Sequence, residues 1–498
     1  MSVRSLMCSV LVVVSVSTAQ TKRPLTLDQS ITLALQQGFA AKNASAQYLA
    51  SKKSYESELR KLRSSVTLSV DLPNYSQSLT SQFNPTTQLY EYYQLRSTQI
   101  QSSLSLNQPI TLTGGTLSFQ QMLLGRDQMS GLASGSQAER DYFGNFLVQY
   151  RQPILAPNEY RMSEERNTLS LDIARADFTR NQLEIVYNVT ASFYNVYQLA
   201  RRVDIARTQV NQNEESYTTA KNKFDAGLIP EVDALQTEVD LVSSKNDLLT
   251  AERGLASASN AFRLLIGLPS SEDFEAVASL VYKPVRIDQE LAVKQALENR
   301  TEVLSAKQNI ELRTMDIASA KAKGDFRLDL TASYGFNGTN GELNRVFNDV
   351  NTSQGAALTV TIPLFDWGSN TLQVESALYQ HESAVLSLEN TQQQIRQEVL
   401  DLINQLKLAE SRIIVLEKSV AVAQKSYDIS VERFQSGTTS RNDVAQAQQR
   451  LTNAKINSLS AIIDYQVALA DLKRRTLWDY EKNEAVHPVV ENEARLHD

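Results

Sequence analysis

Two periodicities divide this chain. From Ser65 to Leu72 apolar Val66, Leu68, Val70 and Leu72 alternate with polar Ser65, Thr67, Ser69 and Asp71, the signature of a strand with one apolar and one polar face. The alternation recurs at Ile100, Leu104 and Leu106; at Leu117 and Phe119; at Phe146, Val148 and Tyr150; at Leu328, Leu330, Ala332 and Tyr334; and at Leu358, Val360 and Ile362. Six strands are predicted. Elsewhere apolar residues recur at threes, fours and sevens, as at Leu388, Ile395, Val399, Leu402, Leu406 and Ile413, and at Val189, Phe193, Val196, Val203 and Val210, which is the spacing of a coiled-coil seam. No proline falls between Phe365 and Gly437. Some seventy residues of helix extend roughly 100 Å at 1.5 Å per residue, so these helices are expected to form a column.

Beyond Gly227 a stripe resumes at Leu235, Val239, Val242, Leu249 and Ala256; beyond Gly437 it resumes at Val444, Leu451, Ala454, Ala461, Tyr465, Ala468 and Leu472. Each glycine therefore reads as the left-handed residue ending one helix of an antiparallel hairpin. The two turns are near copies, "KFDAGLIPEVDALQTEVDL" and "RFQSGTTSRNDVAQAQQRL". Gly227 and Gly437 lie 210 residues apart, as do the strand-ending prolines Pro153 and Pro363. A shared offset between unrelated landmarks predicts an internal duplication, with repeats at 20–270 and 271–477 and a polar tail at 478–498. The helical segments at Ala34 and Ala296 stand 262 residues apart, which gives the first repeat 52 extra residues. An added β-hairpin accounts for them, with "LTGGTLS" around Gly114 and Gly115 as a turn. Both copies also carry an aromatic (Phe224, Phe434) and an aspartate (Asp233, Asp443) at fixed distances from the glycine, and a simple helix cap would not demand that carboxylate.

Only 17 glycines and 11 prolines punctuate 498 residues, as expected of a few long elements. Residues 1–19 have a basic Arg4, an apolar run and small Ser17 and Ala19, which reads as an export signal cleaved after Ala19. Cys8 lies inside that run, so no cysteine is expected to remain for a disulfide, a thiolate metal site or a nucleophile. After residue 19 no apolar stretch is long enough for a membrane helix. A bilayer would therefore have to be crossed by a β-barrel. Tyr90, Tyr92, Tyr93 and Tyr142 could then form an interfacial girdle; a soluble sandwich would show the same alternation. The net charge of −7, with 49 dispersed basic residues, leaves no footprint for nucleic acid. His381, His487 and His497 have no metal-site spacing, no GxxxxGK[ST] phosphate loop occurs, and no acid–base or nucleophile constellation points to an enzyme. No cofactor is expected.

"LTLDQSITLAL", the junctions "YRQPIL" and "TIPLFDWG", and the doubled turn together resemble the outer membrane efflux protein family over the whole mature chain. The resemblance implies an α+β, TolC-like membrane fold: a homotrimer sharing one transmembrane β-barrel continued by an α-helical tunnel. It implies a passive exit duct for efflux or type I secretion in the bacterial outer membrane. Its helical part would lie in the periplasm, partnered by a periplasmic adaptor and, indirectly, an inner-membrane pump or ABC transporter. The family supplies four strands per subunit and this chain reads as six, so a trimer would have eighteen strands rather than twelve if the added pair joins the wall. Ala226, Gly227 and Leu228, with Ser436, Gly437 and Thr438, match the adaptor-contact tips. Asp233 and Asp443 match two aspartates of the entrance, whereas Phe434 stands for its tyrosine, Thr439 for its arginine and Gln446 for a second aspartate, which implies a weaker latch. The competing reading, a periplasmic adaptor or coiled-coil scaffold, would need one helical hairpin and a β domain between its helices.

Overall fold

The computed structural model describes residues 23–84, 88–132, 135–278, 282–436 and 438–485. The expected signal, His487, His497 and Gly437 lie outside them. From the amino end run β1 (Arg23–Leu25), α1 (Leu27–Gln37) and α2 (Phe39–Lys61), then β2 (Ser65–Asn84), β3 (Leu89–Ile110), β4 (Gly115–Leu132) and β5 (Gly135–Pro153), then α3 (Glu159–Asp225) and α4 (Glu231–Ile266). There follow β6 (Phe274–Ala276), α5 (Gln289–Asn299), α6 (Thr301–Gly324), β7 (Arg327–Asn340), β8 (Asn351–Thr361), α7 (Ser369–Gln435) and α8 (Arg441–Thr476), and a last pair β9 (Trp478–Asp479) and β10 (Glu484–Ala485). α3 and α7 each hold 67 residues, and α4 and α8 each hold 36.

The chain divides into two compact units. One contains α1, α4, α5 and α8 with the Phe178–Asp225 part of α3 and the part of α7 from Gln394. Its core gathers Val189, Phe193 and Val196 of α3, Phe262 and Ile266 of α4, Ala34 of α1 and Leu25 of β1. Phe262 links Phe193 and Phe274, with ring centroids 6.1 and 5.4 Å apart. β1 pairs in parallel with β6, and α1 starts from a capping box in which Thr26 and Gln29 serve each other's backbone amides. Around Asp471 of α8, Arg474 reaches Glu184 of α3 and Arg475 reaches Glu398 of α7, which also accepts from Arg300 at 2.8 Å. Every charge in this partly buried cluster has an opposite partner, so none is left uncompensated.

On α7 and α8 the expected stripes are largely inside: Ile395, Val399, Leu402, Leu406 and Ile413 are buried, as are Leu451, Ala454, Ala461, Tyr465 and Leu472. On α4 the reading has to be corrected. In its first half the buried residues are Ala234, Thr237, Leu241 and Ser244, whereas Leu235, Val239, Val242 and Leu249 are at least half exposed. Small residues let α4 lie close to its own chain, and Thr237 and Ser244 return their hydroxyls to backbone carbonyls at 2.7 and 2.9 Å. The more hydrophobic stripe is left without a partner. α7 has a second such row, Leu408, Val415, Val422 and Ile429, all exposed at seven-residue spacing.

The other unit, Gln47–Asp177 and Thr301–Gln393, is built on one antiparallel sheet ordered β2-β3-β4-β5-β7-β8. All six alternating stretches lie in it, and β2 to β5 are 18 to 22 residues long. The alternation fails to show that length because the register shifts between Asp71 and Asn74. Leu72 and Pro73 sit opposite the single Ile100, so the bulge moves odd-numbered Tyr75, Leu79 and Phe83 onto the face occupied below by Val66, Leu68 and Val70. Proline is tolerated there because a bulge has no ladder amide to supply. Across β4, β5 and β7 the same face carries Phe119, Phe146 and Phe336, with centroids 4.6 and 5.5 Å apart.

Pairing also corrects the tyrosine girdle. Tyr142 lies opposite Gly125, which lies opposite Ile100. Tyr92 and Tyr90 are eight and ten residues further along β3, about 26 to 33 Å at 3.3 Å per residue, and do not share its level. From Arg151 to Tyr142 β5 spans ten residues, about the length of a membrane-crossing strand. Immediately beyond, Arg126–Asp141 and Asp127–Arg140 are paired across β4 and β5 on opposite faces. Ion pairs on both faces mark a level wetted on both sides.

Phe193 is fully buried, so Phe193→Ala is expected to cost about 3–5 kcal/mol and to lower the midpoint of thermal loss of helical circular dichroism. Leu228→Ala, at an exposed turn, should change stability by less than about 0.5 kcal/mol.

Candidate functional site

The two turns between the long helices share one backbone hydrogen bond and differ in chemistry. In the first, Gly227 adopts φ 71°. Its amide donates to Phe224 at 2.7 Å and that of Leu228 donates to Lys223 at 2.8 Å, the paired bonds of a Schellman cap. A Cβ on Gly227 would meet no atom within 4 Å. Glycine is required there for its left-handed backbone rather than by crowding, and the bare backbone is open to an incoming surface. Leu228 is 72% exposed beside it. In the second turn Thr438 donates its amide to Arg433 at 2.9 Å, and the hydroxyls of Ser436 and Thr438 each reach the same carbonyl at 3.0 Å. Gly437, between them, lies outside the described residues.

Capping explains one of the two recurring aspartates. Asp443 is the third residue of α8, whose N-cap is Ser440. One carboxylate oxygen, Oδ2, accepts from the Ser440 hydroxyl at 2.7 Å, the Thr439 hydroxyl at 2.8 Å and the Ser440 amide at 3.1 Å, and Ser440 accepts from the Asp443 amide at 3.3 Å. This is a capping box with an added hydroxyl. The Ser440 hydroxyl, then the Thr439 hydroxyl and the Ser440 amide, hold the Asp443 carboxyl below the usual aspartate range. The signal was present as Ser440…Asp443 ahead of the α8 stripe.

Asp233 stands at the matching place in α4, but the N-cap there is Pro230 and no side chain caps the helix. Proline has neither hydroxyl nor amide proton to offer. Asp233 is consequently exposed with no side-chain hydrogen bond among the described residues. Phe434, 39% exposed, matches Phe224 at 38%, and Gln446 lies exposed one turn after Asp443. The structure thus gathers Thr439, Ser440 and Asp443 and leaves Asp233, Phe434 and Gln446 apart from that cluster.

The two strand–helix junctions lie in the sheet unit. Pro153 closes β5 opposite Asp329, after which the Ile154 amide donates to Leu328 at 2.8 Å. Pro363 falls just beyond β8, in an irregular stretch where Leu364, Phe365 and Trp367 are exposed and Asp366 caps α7 through the amides of Gly368 and Asn370. No cluster of His, Cys, Asp or Glu fit for a metal occurs among the described residues, and none of their helices is long and apolar enough to cross a membrane.

The family model described as "Outer membrane efflux protein" matches residues 123–268 and 292–476. The chain belongs to the outer membrane efflux protein family. Curated relatives include outer membrane protein OprJ of Pseudomonas aeruginosa, 26% identical over 61% of this chain and 64% of its own length. Nodulation protein T of Rhizobium leguminosarum bv. trifolii is 20% identical over 61% and 66%, and outer membrane protein TolC of Escherichia coli 23% over 59% and 62%. The match thus spans just under two thirds of each. Among solved structures, VceC of Vibrio cholerae covers 90% of this chain and 95% of its own at TM-score 0.67 and 16% identity. The open state of the MtrE channel of Neisseria gonorrhoeae covers 90% and 88% at 0.65 and 18%. At those identities the efflux-family fold is what they share with this chain.

Ser440→Ala removes a cap and is expected to destabilise the start of α8 by about 1 kcal/mol, read as faster hydrogen exchange at residues 442–445. The depressed folded-state pKa of Asp443 gives a contribution fully present above the ordinary aspartate value of about 3.9. The protection factor of that turn, the exchange rate of an unstructured amide divided by its own at the same pH, should therefore hold steady from neutral pH to about 4 and drop only as pH falls through the lower folded value; a drop beginning near pH 6 would refute the assignment.

Proposed function

We propose that this chain is the passive exit duct of a tripartite efflux system: a homotrimer with one shared β-barrel in the bacterial outer membrane and its helical part in the periplasm. The observation that carries the reading is what a single chain leaves uncovered. Two sheet edges and two heptad stripes, on α4 and α7, have no partner. Copies of the same chain supply both, since lipid can accept neither open edges nor unpaired backbone. The naming of OprJ and TolC as outer membrane proteins supports the location. Equal helix lengths in the two halves support tandem repeats at 20–270 and 271–477.

The tips Ala226-Gly227-Leu228 and Ser436-Gly437-Thr438 are the contact points for a periplasmic adaptor, through which an inner-membrane pump or ABC transporter supplies energy. At the entrance the two carboxylates divide their tasks. Asp443 holds its own helix end, while Asp233 is available to a neighbouring subunit or to passing cations. Phe434, Thr439 and Gln446 complete the entrance without the tyrosine and arginine contacts of the family's latch. Exposed polar contacts are each worth about 1 kcal/mol or less, so helix packing is the main restraint on opening.

Purified mature protein in detergent should be trimeric and should form pores in planar bilayers that prefer cations, because rings of Asp233 and Asp443 concentrate them. Asp233→Asn combined with Asp443→Asn should reduce that preference several-fold. A monomer freely soluble without detergent would overturn the duct; an anion-preferring pore would overturn the role given to the aspartates.

A further inference from the structure

The sheet is asymmetric: four strands lie between α2 and α3, and only two lie between α6 and α7. The β2–β3 pair is built into the sheet rather than laid on it. β3 and β4 keep one register from Gln94↔Gly131 to Ile110↔Gly115 without a shift. The turn joining them is fixed to the start of α3, where Asn158 donates to the Thr111 carbonyl at 2.6 Å and Tyr160 shares a hydrogen bond with Thr116 at 2.8 Å. Gln152 of β5 adds a bond to the Thr113 carbonyl at 2.8 Å. The bulge at Leu72 and Pro73 keeps the apolar face of β2 in phase with β3 over its whole length.

That leaves the outer edge of β2 and the outer edge of β8 unpaired. β2 leaves a helix and β8 leads into one, so the two run in opposite directions along the sheet. Leu68 and Leu358 on their apolar faces are 66% and 60% exposed. We propose that the outer edge of β2, over Ser65–Asp71 below the bulge, is the docking surface for β8 of a second copy of this chain, so that three copies close an eighteen-stranded wall. This rests on the trimeric reading above. A wall of that size belongs with those that leave an aqueous channel, and because barrel diameter grows roughly linearly with strand number it is about one and a half times as wide as a ring of twelve strands. The calibre at the membrane is therefore set by β2–β3.

Cysteine cross-linking in the outer membrane separates the alternatives, because the sole native cysteine, Cys8, lies in the expected signal. Val66, Leu68 and Val70 of β2 are each changed to Cys in combination with Cys at Ala356, Leu358 or Val360 of β8. Oxidation should yield disulfide-linked dimers and trimers for at least one register. Links from Leu117→Cys or Phe119→Cys of β4 to β8 would instead mean that β2–β3 lies outside a twelve-stranded wall and would overturn the proposal, as would a trimer in which no β2 position reaches β8. A monomer would be a failure of the trimeric reading itself. Electron cryo-microscopy of the unmodified trimer gives the same decision by counting eighteen or twelve strands.

Discussion

A backbone amide or carbonyl without a partner costs several kcal/mol in hydrocarbon, and this one cost organises the molecule. An alternating strand can have a lipid side only if both its neighbours are strands. A sheet of six such strands with two open edges therefore leaves that cost unmet at both edges. The helices share the incompleteness in a milder form. Each long helix has a row of small or apolar residues for its own chain, and α4 and α7 keep a second row of larger ones in reserve.

The two turns, alike in sequence, do two different things. Both keep a six-to-one backbone hydrogen bond, at Leu228 and again at Thr438. Two residues further on the copies part, with Ser440 in one and Pro230 in the other. That exchange binds one aspartate to its helix and frees the other. The difference is one of hydrogen-bond donors, since neither carboxylate has changed its place in the helix.

Much of this was legible in the sequence, where local physics decides. Period-two alternation located all six strands, and the shared offset of 210 anticipated helices of matched length. What was illegible depends on partners. Leu235 and Val239 belong to the apolar stripe that the spacing shows, yet Ala234 and Thr237 beside them are the buried residues, because close helix approach rewards small side chains. The upper half of β2 was hidden by a bulge that reverses its parity. Asp443 has its capping partner three residues before it, at Ser440, a pairing that the repetition of the aspartate obscures.

The shortest element has its own consequence. β1 pairs only with β6, and some 250 residues separate them along the chain. An exported polypeptide emerges amino end first. Arg23–Leu25 must therefore wait through the passage of an entire helical hairpin before Phe274–Ala276 arrives to receive it, and Leu25 cannot reach its place beside Phe274 until then. The clasp can therefore close only once the whole of α3 and α4 lies between its two strands along the chain.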